Sequence, residues 1–422
     1  MTTTDTQAED LRNSLIDHIR EAGHLHSSSI ERALRTVPRH LFVPEATLQE
    51  AYANKAITTK PGPEGGRPAS CASQPTVVAM MLGQLDARPG DRVLEIGAGT
   101  GYNAALLAEL VGASGEVTTV DIAPDVSRQA QLALEATGYG RVHVVTGDGV
   151  RGAPEHAPYQ RIIVTVGPWD LPPAWLHQLA PGGRLVVPLH WRGQARSVAF
   201  VHENGVLQAR DSQLCGFIPM IGEGQDGERT GRIAEGVALY WDRDQPIDVE
   251  ALQGVLEEPG TTVWSGASVV PNESTDRIWL RLTGTEPGTC RFAAAPDAIN
   301  SDLCSPAFAY RSPGVVEGDS LAYLTLRGPE PDAVERRWEL GAIGHGPAGA
   351  QLAERVCDQI RAWDRDRTEQ PVITAYLAGV PLGELAGGQV MDKQFTRLVV
   401  APHTRCGSLP MITAGRRTRM RS

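Results

Sequence analysis

The chain has no uninterrupted apolar run near the ~20 residues needed to cross a bilayer, which argues against a membrane-spanning helix. Its opening stretch, MTTTDTQAED, has no basic segment leading into an apolar one. No membrane partner and a cytoplasmic location are therefore expected. Basic charge is also in deficit. Thirty-nine Lys and Arg against 50 Asp and Glu leave −11 at pH 7, a field that repels nucleic acid and favours cationic partners. A nucleic-acid-binding enzyme is thereby disfavoured. The six cysteines (71, 215, 290, 304, 357 and 406) form no C-x-x-C pair and have no neighbouring histidines, so reduced structural thiols are expected rather than zinc ligands or disulfides. Gly and Pro number 45 and 30 of 422 residues, below the roughly 25–30% of low-complexity chains. The chain is globular, and at about 150 residues per domain it should hold two to three.

The elements present suggest two regions. Leu11, Leu15, Ile16 and Ile19 form the apolar stripe of a helix over 10–22, closed by Gly23. Ser28 and Glu31 have capping-box spacing ahead of a second helix that Pro38 stops. The Gly- and Pro-rich stretch 58–72 reads as a loop beside a substrate site. From residue 91, Val/Ile-rich runs at 92–96, 116–120, 141–145, 161–166 and 184–189 alternate with helical stretches such as 103–110 and 125–137. That beat predicts an open parallel sheet with helices on both faces. Past about residue 210 it fades into mixed segments: strand-like 320–326, 372–379 and 397–401, and a helix at 349–363 with Leu352, Val356, Ile360 and Trp363 on one stripe. The expected division is 1–210 and an accessory α+β domain, 211–422, ending in a solvated Arg-rich tail.

The first parallel strand ends in Glu95-Ile96-Gly97-Ala98-Gly99-Thr100-Gly101, directly before a helix. Glycines there let a ligand approach the backbone and the helix N-terminal amides. Asp121, twenty residues after Gly101 at the end of the next strand, suits ribose hydroxyls. Gly147-Asp148-Gly149 ends the third strand; Asp148 offers an acceptor to an adenine amino group, and Gly149 leaves room for the ring. The three acids are one strand-helix unit apart and share one sheet edge. The G-x-G-x-G spacing and the carboxylate of Glu95 disfavour a dinucleotide pyrophosphate. They suit a doubly cationic ligand, S-adenosylmethionine, whose ammonium Glu95 can serve directly or through water.

With those residues in view, 28–190 resembles the protein-L-isoaspartate O-methyltransferase family through VPRHLFVPE (37–45), SQP (73–75), VLEIGAGTGYNAALLA (93–108), GDG (147–149) and QLAPGGRLVVPL (178–189). The resemblance implies a class I methyltransferase (Rossmann-like) sheet and S-adenosylmethionine as cofactor. It also implies Ser73 as the catalytic serine that contacts the substrate carboxylate, with Asn54, Lys60 and Gln74 on the substrate side. A carboxylate with a pKa near 4 is ionised at neutral pH, so transfer to it needs no general base and rests on positioning. Ser73 could instead simply cap the helix after Pro75. Amino-nitrogen methylation would favour an Asn/Asp-Pro-Pro-aromatic run where Val166-Gly167-Pro168-Trp169-Asp170 stands.

Departures from the repair members bear on the substrate. Asn54 stands at their usual Asp, the loop before Ser73 is longer, and about 200 C-terminal residues are added. ANKAITTK (53–60) and CGFIPMIG (215–222) are more similar to actinobacterial relatives associated with ribosomally made, modified peptides, which esterify an aspartate that then closes to aspartimide. The expected function is therefore carboxyl O-methylation of Asp in a precursor peptide, bound by the accessory domain and, given the −11 charge, basic. Alternatives are isoaspartate repair of damaged proteins and a non-catalytic peptide-binding maturation partner. His24, His26 and His40 are expected to bind no metal, Asp392, Lys393 and Arg397 to form a structural ion pair, and Trp264, Trp279, Trp338 and Trp363 to fill the second core.

Overall fold

The computed structural model describes residues 3–25, 27–62, 68–329 and 335–402. His26, Cys406, the Arg-rich tail and the middle of the 58–72 loop lie outside the described residues. Helices α1 (Thr3–Glu21) and α2 (Ser28–Thr36) bury Ile16, Ile19, Ile30 and Leu34 against the main core. The capping box expected at Ser28 does not form. Ser27 is the N-cap, without a side-chain cap bond, and Glu31 is drawn instead to Arg20 and Arg35 at 2.9 and 2.8 Å.

A short α3 (Leu48–Ala51) leads to a hairpin of β1 (Ile57–Lys60) and β2 (Ser70–Ala72), then α4 (Pro75–Leu85). The expected alternation follows as β3 (Arg92–Ile96), α5 (Tyr102–Val111), β4 (Glu116–Asp121), α6 (Pro124–Ala136), β5 (His143–Thr146), β6 (Tyr159–Val164), α7 (Pro173–Gln178) and β7 (Leu179–Trp191). These five strands pair in parallel in the order β5-β4-β3-β6-β7. Leu94, Ile162, Leu185 and Val187 on three of them are fully buried, as expected for strands covered on both faces. The order reverses between β3 and β6, and a ligand crevice opens beyond the carboxyl ends of strands at such a point.

β8 (Gln194–Glu203) and β9 (Val206–Leu214) extend the sheet antiparallel. A second, seven-stranded sheet follows: β10 (Glu228–Ala234), β11 (Val237–Asp242), β12 (Thr261–Val269), β13 (Thr289–Ala294), β14 (Ser312–Glu317), β15 (Ser320–Arg327) and β16 (Trp338–His345). It is accompanied by α8 (Asp276–Thr285), α9 (Pro296–Asn300) and α10 (Gly349–Arg365). The stripe read on α10 is its buried face, with Leu352, Val356, Ile360 and Trp363 all at 1% exposure or less. The chain ends in β17 (Val372–Leu377), β18 (Gln389–Asp392) and β19 (Thr396–Ala401).

A boundary at 210/211 does not match this arrangement. It would cut β9, and β17 pairs with β9 (Thr374 opposite Gln208), so the last three strands belong to the first sheet. The physical reason is that β9 would otherwise present an unpaired edge. The accessory unit is therefore an insertion between β9 and β17. It is tied down by fully buried Arg196 of β8, paired with Asp276 of α8 at 2.5 Å; within the first sheet, the ammonium of buried Lys393 donates to the His190 carbonyl at 2.7 Å. Arg397 and Asp392 form the expected surface pair at 2.6 Å, whereas Lys393 turns inward. Among the described residues no helix is long and apolar enough to cross a membrane.

Candidate active site

A cavity of about 930 Å³ runs from the glycine loop after β3 to the accessory layer. At the loop end, Gly97 has φ +102°, and a Cβ there would lie 2.7 Å from Thr165 Oγ1, so only glycine fits between the β3 and β6 ends. Gly101, at φ +83°, is the left-handed N-cap of α5, and Gly99 also lines the cavity. Asp121 holds the loop by accepting from the Gly99 amide at 3.1 Å, and its other oxygen accepts from Ala123 N at 3.1 Å. Gly149 lines the cavity as well, and a Cβ there would press on Ile96 Cγ2 at 2.6 Å. Asp148 is not among the lining residues; its carboxylate caps the following turn through Val150 N at 3.0 Å.

Glu95 is fully buried. Its two oxygens accept from Asn103 Nδ2 at 2.8 Å and Thr119 Oγ1 at 2.6 Å. Burial pushes its carboxyl up to about 7, against the pull of those two bonds. A buried carboxylate held this way, with spare lone pairs, favours a cation. The chemistry of the glycine cradle, Glu95 and Asp121 fits S-adenosylmethionine, a cation with ribose hydroxyls.

At the acceptor end, Ser73 and Gln74 line the cavity just ahead of α4. Gln74, not Ser73, is the N-cap residue, and it makes no side-chain cap bond. The Ser73 hydroxyl has no hydrogen-bond partner among the described residues. The capping work falls to Asn54, whose Oδ1 accepts from Thr76 N at 3.2 Å and Thr76 Oγ1 at 2.9 Å. Asn54 is absent from the cavity wall, so its expected substrate contact is replaced by a helix-capping role. Lys60 is also absent from that wall. Its ammonium is taken by Asp125 at 2.5 Å, tying the β1–β2 hairpin to α6.

The VPRHLF motif holds a further residue of this site, Arg39, to which the sequence alone assigns no role. Arg39 is 1% exposed and lines the cavity. It donates to the carbonyls of Ala51 and Ser73, both at 2.9 Å, and its Nη1 has no hydrogen-bond partner among the described residues. Burial lowers its pKa, and no carboxylate offsets it. The clue was a lone arginine inside an apolar motif. Also unforeseen were Trp279, Arg291 and Arg311 in the cavity wall, since tertiary folding alone brings them there. Cys215 lines the wall too, but burial pushes its thiol up to about 12, so it is no nucleophile at neutral pH. Among the described residues no metal-binding cluster of His, Cys, Asp and Glu is found.

A family model described as protein-L-isoaspartate(D-aspartate) O-methyltransferase matches residues 10–225. A protein named protein-L-isoaspartate O-methyltransferase from Methanopyrus kandleri is 41% identical over 214 residues, covering 50% of this chain and 92% of that protein. An Archaeoglobus fulgidus protein named protein-L-isoaspartate O-methyltransferase 2 is 38% identical over 215 residues, covering 51% and 94%. A solved structure named protein-L-isoaspartate O-methyltransferase aligns over 92% of this chain and 98% of its own, at 21% identity and TM-score 0.49.

Proposed function

The chain belongs to the protein-L-isoaspartate(D-aspartate) O-methyltransferase family through residues 10–225, and from that premise we propose that it methylates the free carboxylate of isoaspartyl residues in peptides or proteins. It is a carboxyl O-methyltransferase dependent on S-adenosylmethionine, not a non-catalytic binding partner. The relatives named above bear the isoaspartate activity in their names, which favours this reading over aspartate in a ribosomally made precursor.

When bound, S-adenosylmethionine supplies an electrophilic methyl group. The rest falls to the chain's own residues. Glu95 and Asp121 anchor the cationic and ribose parts, and the tight glycine loop brings backbone amides close. The acceptor carboxylate needs no base, being ionised already. Ser73 donates its hydroxyl to one carboxylate oxygen and leaves the other to attack. The carrying observation is that this hydroxyl has no partner among the described residues yet shares one cavity with the glycine loop.

One observation favours the aspartimide-forming reading as a second possibility. Trp279, Arg291 and Arg311 line the cavity but lie beyond the family-matched 10–225, so the acceptor end differs from a single-domain enzyme. One experiment separates the two: matched isoaspartyl and aspartyl peptides incubated with enzyme and S-adenosylmethionine, followed by mass spectrometry. Methyl gain on the isoaspartyl peptide alone supports the first reading. Gain on the aspartyl peptide, then net loss of water, supports the second, and no gain on either overturns both.

A further inference from the structure

The accessory unit adds positive charge to the cavity. Glu95, Asp121 and Arg39, the last over the Tyr102 ring next to Gly101, come from the first unit, whereas Arg291 and Arg311 come from the insertion. Arg291 is partly compensated, lying over the Tyr240 ring at 3.7 Å with Glu228 4.0 Å away. Arg311 is exposed and has no ion pair or hydrogen bond among the described residues.

Two further wall residues carry donors without acceptors. Trp279, on α8, is 4% exposed, and Gln194, at the start of β8, is 3% exposed; among the described residues the Trp279 indole Nε1 and the Gln194 amide Nε2 have no partner. The Gln194 amide orientation is set by Arg196, whose Nη1 faces the amide oxygen at 3.4 Å. A guanidinium only donates, so the oxygen points to it and the nitrogen away. Indole nitrogen is likewise a donor alone. Unpaired buried donors are costly, and since neither atom is open to solvent, a ligand rich in oxygen acceptors removes that cost by drawing the side chain toward the cavity.

Resting on the proposed peptide carboxyl methylation, we propose that the accessory layer forms a recognition wall for an acidic peptide. Trp279 and Gln194 donate to peptide oxygens, and Arg311 pairs with a carboxylate flanking the methyl acceptor. The net charge of −11 points to a basic partner, but at contact range local groups outweigh a screened distant field.

The test uses full-length protein with S-adenosylhomocysteine and two fluorescent hexapeptides, each with one isoaspartyl residue, flanked by Glu in one and by Lys in the other. Anisotropy reads binding, and methyl transfer is followed in parallel with S-adenosylmethionine. The Glu-flanked peptide should bind more tightly, with the preference shrinking as salt rises. Arg311→Glu should weaken Glu-flanked binding about three- to fivefold and improve Lys-flanked binding. Trp279→Phe, which keeps the ring and removes the N–H, should weaken both about three- to tenfold with S-adenosylhomocysteine affinity unchanged. Equal binding of the two peptides, or indifference to Arg311→Glu, overturns the proposal even if both are methylated. Selective binding without methyl transfer leaves it standing and overturns the functional reading, and failure of both peptides to bind overturns both.

Discussion

Arg39 Nη2 donates to the carbonyl oxygen of Ser73 at 2.9 Å, from a guanidinium that is 1% exposed and has no carboxylate among its described partners. A buried cation without a counter-ion is costly; the Tyr102 ring, 5.1 Å from the guanidinium carbon, offsets part of that cost, and an acceptor carboxylate entering the cavity beside Ser73 would offset more. The same contact fixes the backbone that carries the Ser73 hydroxyl. Replacing Arg39 with Met should therefore raise the KM for an isoaspartyl peptide about tenfold or more, the worth of one charge-assisted bond. S-adenosylhomocysteine affinity should stay within about twofold. Steady-state kinetics beside calorimetry checks this, and an unchanged peptide KM contradicts it.

Glu95 makes cofactor binding and stability depend on pH in opposite directions. Its carboxyl is raised from near 4.5 to about 7 by burial. The unfolded chain thus gives up this proton first, and the group's contribution to stability falls as pH climbs from about 4.5 to about 7. A cationic ligand prefers the ionised form, so S-adenosylmethionine affinity should rise as pH passes upward through about 7. Glu95→Gln should flatten both trends, gaining up to about 3 kcal/mol of ligand-free stability at pH 8 while weakening the cofactor. Melting and calorimetry at pH 5.5 and 8 show whether the two slopes are of opposite sign.

Asn54 and Lys60 should separate cleanly from substrate binding. Asn54→Ala removes the acceptor at the start of α4 and should cost about 1 kcal/mol of stability, while Asn54→Asp keeps the acceptor and should cost little. Lys60→Ala breaks an exposed pair and should change peptide KM less than twofold. A large KM effect of Lys60→Ala with unchanged melting would restore it to the substrate site.

Asp121→Ala frees the Gly99 amide and removes the ribose acceptor. Cofactor affinity should drop about tenfold, with the peptide KM at saturating cofactor little changed. Calorimetric titration with S-adenosylhomocysteine is the check.

Much of this is legible in the amino-acid sequence. The runs that became β3, β4 and β6 are rich in β-branched residues, buried because both sheet faces are covered, and that signal is local. Gly97, Gly101 and Gly149 were equally legible, since each is demanded by a backbone angle or a close approach within the loop geometry. The acceptor wall was not. Trp279 reads as core filler in α8 and is indeed nearly buried, and only the seating of α8 beside β8 brings it to the cavity. Asn54 and Lys60 were placed by position in a motif, but that position does not reveal whether a polar group faces substrate, a helix end or an ion-pair partner. The domain boundary failed for a similar reason: pairing of Thr374 with Gln208 spans a separation that no local pattern records.

The most direct measurement is kcat/KM for methyl transfer to an isoaspartyl peptide by wild-type enzyme and by Ser73→Ala, with melting temperature as the control. Because the Ser73 hydroxyl has no partner among the described residues, its loss should leave melting unchanged and lower kcat/KM about 10- to 100-fold, the worth of one hydrogen bond to a charged acceptor. Wild-type turnover by Ser73→Ala would contradict the assignment of Ser73 to the acceptor carboxylate.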